Sequence, residues 1–97
     1  RRRVVTARMP APQVRISRDA MLQEIGEEGV ILDLSTATYF GLDRVGVRLW
    51  QLLQVDPDLQ AASDVLLSEY DVEPAILAGD LTALVEQLVA AGLATVE

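Results

Sequence analysis

Few side chains in this 97-residue chain could do covalent or acid–base chemistry: fifteen carboxylates, eight basic groups, two tyrosines and scattered hydroxyls. There is no cysteine and no histidine. That removes thiolate nucleophiles, thiolate metal sites, disulfides and the commonest proton-transfer group together. Carboxylates alone can hold magnesium or calcium, but they need dense spacing such as a DxDxDG loop, and none occurs. The residue types therefore predict a non-enzyme with no cofactor and no metal. What remains is non-covalent chemistry, namely main-chain hydrogen bonding by strands, apolar burial and charge.

Charge is unevenly spread. All the basic residues are arginines at or before Arg48, whereas Leu49 to Glu97 holds nine acidic residues and no basic one. Duplex binding relies on Lys and Arg neutralising phosphates, so a nucleic-acid partner is not expected. No apolar run reaches the roughly 18 residues of a membrane span, and "RRRVVTARMPAPQ" lacks the apolar centre of a signal peptide. A cytoplasmic protein without membrane contact is expected.

The elements that must position any binding surface follow from patterning. Residues 1–13 carry an Arg run, two prolines and no periodicity, and are expected to be a flexible N-terminal tail; residues 14–97 are expected to form one domain. Val14 to Ser17 alternates and could be a short edge strand. Ala20–Ile25, Val30–Leu34 and Thr38–Leu42 read as strands, separated by Gly26–Gly29 and the small polar turn Ser35–Ala37. Asp33 is expected to serve that turn. Asp43 then suits the N-cap of a helix in which Val45, Leu49, Leu52 and Leu53 share a face. Trp50 is expected in the core, and Gly46 to mark close backbone approach to another element, with the sheet as the candidate. A second helix is expected over Leu59–Tyr70. A third starts at Pro74, runs to about Ala91 and ends at Gly92; Leu77, Leu81, Leu84 and Leu88 form its inward stripe. "LATVE" is a short exit strand or tail. The fold class is α+β and winged helix-turn-helix-like, a three-stranded antiparallel sheet followed by three helices, with the sheet first.

"LDLSTATYFGLDRVGVRLWQLL", followed by "SEYDVEP" and "DLTALVEQLVAAGLATVE", resembles the PqqD-like family of small RiPP recognition elements over roughly Val14 to Val96. The "YFGLDRVGVRLW" stretch looks most like the standalone recognition proteins of lasso-peptide biosynthesis. The resemblance implies a non-catalytic protein that binds the leader region of a ribosomally made precursor peptide. It would then deliver that peptide to a leader-cleaving Cys protease of the same pathway. It further implies that the leader adds as a strand to Thr36–Leu42 and lies between that strand and the helix Pro74–Ala91. The alternatives are a PqqD-type peptide chaperone of pyrroloquinoline quinone biosynthesis, a winged-helix DNA-binding regulator, or a subunit that binds a partner enzyme but no peptide.

On this reading the peptide-binding residues are Leu34, Thr38, Tyr39, Phe40, Gly41 and Leu42 on the strand side. On the helix side they are Ala78, Leu81, Val85, Glu86, Leu88 and Val89. Ala78, Val85 and Val89 form a second apolar edge on the third helix, which either exposes a shoulder to the guest or is wedged into the core. Asp80 and Glu86 either flank the groove and favour a basic guest or are ordinary solvated charges. Tyr39 and Phe40 must face opposite sides of their strand; which of them is core stays open.

Overall fold

The structure, a computed structural model, describes residues 12–97. Strands β2 (Ala20–Ile25), β3 (Glu28–Asp33) and β4 (Thr38–Leu42) form an antiparallel meander in the order β2-β3-β4. Ile25 already pairs with Glu28, so β2 and β3 are joined by Gly26 and Glu27 alone, a tighter link than Gly26–Gly29. Gly26 has φ +64, the sign that the first position of a II′ hairpin turn requires. The β3–β4 turn is built on Asp33. Its carboxylate accepts from the Ser35 hydroxyl at 2.7 Å and the Ser35 N–H at 2.9 Å. Those bonds, the hydroxyl's first, hold the Asp33 carboxyl below its ordinary range.

Three helices follow: α1 (Arg44–Val55), α2 (Leu59–Glu69) and α3 (Pro74–Ala90). The Asp43 side chain accepts from the Gly46 N–H at 2.8 Å and starts α1. Asp58 caps α2 through the N–H groups of Gln60 and Ala61. Pro74 opens α3, where its missing donor costs nothing. At the other end Gly92 takes φ +76. The Leu93 N–H returns to the Leu88 carbonyl and the Gly92 N–H to that of Val89, the paired bonds of a Schellman cap. Leu88 and Leu93 are both buried there.

Helix α1 is the hub: it packs on the β3–β4 side of the meander and on α2. Leu49, Trp50 and Leu53 are at most 3 % exposed, and burial of each such side chain contributes roughly 1.5–3 kcal/mol. The contact leaves little room for a side chain at two glycines. A Cβ on Gly29 would lie 2.8 Å from both Leu22 Cδ1 and Val47 Cγ2, and one on Gly46 would lie 3.0 Å from Leu42 Cδ2. The expected close approach at Gly46 is therefore to Leu42 in β4.

The first strand departs from expectation. β1 (Val14–Ile16) does not edge the meander but pairs antiparallel with β5 (Ala94–Val96) in a separate two-stranded sheet. Val14 is fully buried, its N–H bonds to the Pro57 carbonyl, and the Ser17 N–H bonds to that of Leu93. Burying Val14 beside α1 draws the strand away from β2 and gives the chain end after α3 a partner. Pro12 and Gln13 belong to the same assembly. The Pro12 carbonyl accepts from the Leu59 N–H, and Gln13 exchanges backbone bonds with Glu97. Residues 1–11 of the expected tail lie outside the described residues.

Candidate functional site

Among the described residues β4 pairs only with β3. Its other edge is open, and alternate residues there turn unpaired N–H and C=O groups outward. Register decides what the side chains do. Leu22, Ile31 and Phe40 lie opposite one another across the three strands, as do Met21, Leu32 and Tyr39. Ile31 is fully buried, so the first row faces the core. Phe40 is half-buried and packs on that core, whereas Tyr39 points to the outer face at 78 % exposure.

Beside the open edge lies a groove of about 720 Å³. Phe40, Gly41 and Leu42 of β4 form one wall, and Asp43, Val45 and Gly46 at the start of α1 close its base. The opposite wall is α3, through Leu77, Asp80, Leu81, Leu84 and Gln87. Tyr70, Asp71 and Val72 of the α2–α3 link complete it. The groove exists because α3 packs on α2 and β5 while β4 packs on β3 and α1, leaving space between them.

The expected site residues divide accordingly. Phe40, Gly41, Leu42 and Leu81 line the groove. Thr38 and Tyr39 lie on the open strand but outside the groove, and Leu34 sits in the turn after β3 at 65 % exposure. On α3 the expected shoulder does not face β4. Val85 and Leu88 are core residues, 7 % and 1 % exposed. Ala78, Glu86 and Val89 are exposed on another side of the helix. The groove is instead formed by part of the leucine stripe taken from sequence as wholly inward. Leu77, Leu81 and Leu84 reach it because α2 covers only part of that stripe. Leu77, Leu84, Val45 and Tyr70 were not marked as binding residues; an apolar stripe does not say how much of itself a neighbour will cover.

The charges at this end are already sorted. Arg48 makes two bonds to the Glu69 carboxylate, at 2.8 and 2.7 Å, and Arg44 pairs with Glu27. These hydrogen bonds hold Glu69 and Glu27 below the ordinary carboxyl range. Among the described residues no group of three or more His, Cys, Asp or Glu could hold a metal ion. Nor is any helix there long and apolar enough to cross a membrane.

Residues 28–94 match the family described as coenzyme PQQ synthesis protein D (PqqD). The chain belongs to the PqqD family. The matched span runs from the first residue of β3 to the first of β5 and so contains both groove walls. Two solved structures share the fold. A chain of "TbiB1 in Complex with the TbiA(beta) Leader Peptide" superposes with a TM-score of 0.75 at 35 % identity, covering 82 % of this chain and 93 % of that one. A chain of "Lasso peptide synthetase B1 complexed with the leader peptide" gives 0.67 at 25 % identity, covering 86 % and 98 %. No curated protein matches. The likeness to PqqD-like recognition elements, and the α+β fold expected from the order of strands and helices, are borne out.

Proposed function

We propose that this PqqD-family protein binds the leader segment of a ribosomally made precursor peptide in the groove between β4 and α3, adding it to the sheet as a further strand. One observation carries the reading. Among the described residues the meander ends in an unpaired edge, and the groove beside that edge is walled on its far side by α3. Two proteins of the same fold, both solved with leader peptides, support it.

The mechanism is strand addition with side-chain pockets. The five residues of β4 span roughly 17 Å. Ladder bonds along that edge contribute about 0.5–1.5 kcal/mol each and fix register without reading sequence. Specificity comes from apolar side chains sunk beside Phe40, Leu81 and Leu84, about 1.5–3 kcal/mol for each one fully covered. Offset by the ordering of a flexible guest, this suits a Kd around micromolar, about −8 kcal/mol. On this reading the protein does no chemistry itself and presents the leader to a cysteine protease that cleaves it. A lasso-peptide pathway is favoured over pyrroloquinoline quinone synthesis because a lasso peptide synthetase B1 is among the structural neighbours.

The test is fluorescence polarisation with labelled TbiA(beta) leader and with the leader of any short precursor encoded beside this chain. Saturable binding near micromolar is expected. Failure of both leaders to bind the folded protein would refute the reading. Capture of the partner protease that strengthens when leader is added would support delivery, and capture indifferent to leader would refute it.

A further inference from the structure

We propose that the groove selects guest segments carrying a lysine or arginine beside their apolar anchors, and that Asp71 and Asp80 make the selection. This rests on the groove being the peptide site. It adds which peptides that site prefers.

Three carboxylates line the groove, Asp43, Asp71 and Asp80. Asp43 is committed to the α1 cap. Asp71 and Asp80 are exposed, one on the α2–α3 link and one on α3. The ion pairs among the described residues engage Glu97, Glu27 and Glu69 and involve neither of them. Among the described residues no basic side chain lines the groove. The arginines of α1 are turned to Glu27 and Glu69, and no basic residue follows Arg48. The α3 side of the groove therefore carries uncompensated negative charge over an apolar floor, while its β4 wall of Phe40, Gly41 and Leu42 is uncharged.

That asymmetry orients a guest. A backbone laddered on β4 directs some of its side chains toward α3, where a long Lys or Arg can bury its stem on Val72 and Leu77 and leave its charge at the rim. An acidic side chain there meets repulsion from both carboxylates. Exposed pairs of this kind shift affinity by roughly 1.5- to 5-fold each, and the preference should fade as salt screens it.

The experiment is a display selection on the full chain with extended peptides of roughly twelve residues, about twice the reach of β4. It is run in parallel on the wild type and on D71N/D80N, whose fold is checked by circular dichroism and Tm. The wild type should enrich Lys and Arg over Asp and Glu at positions flanking an apolar anchor. D71N/D80N should retain the anchor and lose the charge preference. For a selected peptide, Lys→Gln should weaken wild-type binding about two- to twenty-fivefold and leave D71N/D80N binding unchanged. An equal charge preference in both forms, or none in the wild type, overturns the inference and leaves the peptide site standing. No peptide retained by either folded form overturns the peptide site and the inference with it.

Discussion

Helix α3 offers a direct test of which side of the fold receives the guest, because adjacent residues on it have opposite roles. Leu84 is half-buried and lines the groove, and Val85 is 7 % exposed and belongs to the core. Leu84→Ala removes apolar surface that a guest anchor would cover. Leu84 is already half-buried, so a guest can cover only the remainder of the roughly 1.5–3 kcal/mol of a full leucine burial, and Kd should rise about threefold to tenfold. The free protein should lose only about 1 kcal/mol, since that side chain is already partly in water. Val85→Ala should do the reverse, lowering stability by about 1–3 kcal/mol through lost burial and a small cavity with little change in Kd. Ala78 and Val89 lie about 120–140° round the helix from Leu84, so Ala78→Asp and Val89→Asp should leave binding intact. Urea unfolding followed by Trp50 fluorescence gives the stabilities, and polarisation with labelled leader gives the affinities. Wild-type affinity in Leu84→Ala, with loss of binding in Val89→Asp, would place the guest on the other side of α3 and refute the groove.

Gly29→Ala forces a Cβ to within 2.8 Å of Leu22 Cδ1 and Val47 Cγ2; a loss of about 1–3 kcal/mol from crowding between sheet and α1 should appear as a lower urea midpoint. The Trp50 Nε1–H is buried without a hydrogen-bond partner among the described residues. Trp50→Phe relieves that donor while keeping most of the ring, and should lose less than half the stability that Trp50→Ala loses, the latter about 3–5 kcal/mol, read by far-ultraviolet circular dichroism. The Asp33, Glu27 and Glu69 carboxyls are held below their ordinary values of 3.8, 4.5 and 4.5. The stability they contribute is therefore complete above those values and is lost as pH falls through the lower folded-state values. Denaturation curves between pH 6 and the acid limit, about pH 2, should show a shallower acid limb for D33N than for the wild type.

Much of the fold was legible because its local signals are strong and agree. Asp43 before an apolar stripe, Pro74 at a helix start and Gly92 after a helix end each satisfy backbone groups within one turn, so no distant contact was needed to place them. The alternation in Thr38–Leu42 likewise required Tyr39 and Phe40 to face opposite ways. It took the pairing of Phe40 with buried Ile31 to send Phe40 inward and Tyr39 out. The fate of Val14–Ile16 was not local. Three residues carry too little pattern to choose between the edge of β2 and a strand some eighty residues later, and the choice went to β5, with Val14 fully buried.

By itself the sequence determined that this chain would lack thiol and imidazole chemistry, would build a meander ahead of three helices, and would keep basic charge off its second half, because those follow from residue type and short-range period. The tertiary structure alone decided where the groove lies. Whether a leucine on α3 is core or wall depends on how far α2 overlaps it, so Leu84 became wall while Val85 and Leu88 became core. A helix's apolar face records what can be buried, and only the packing angle of its neighbours determines which part of that face is left for a guest.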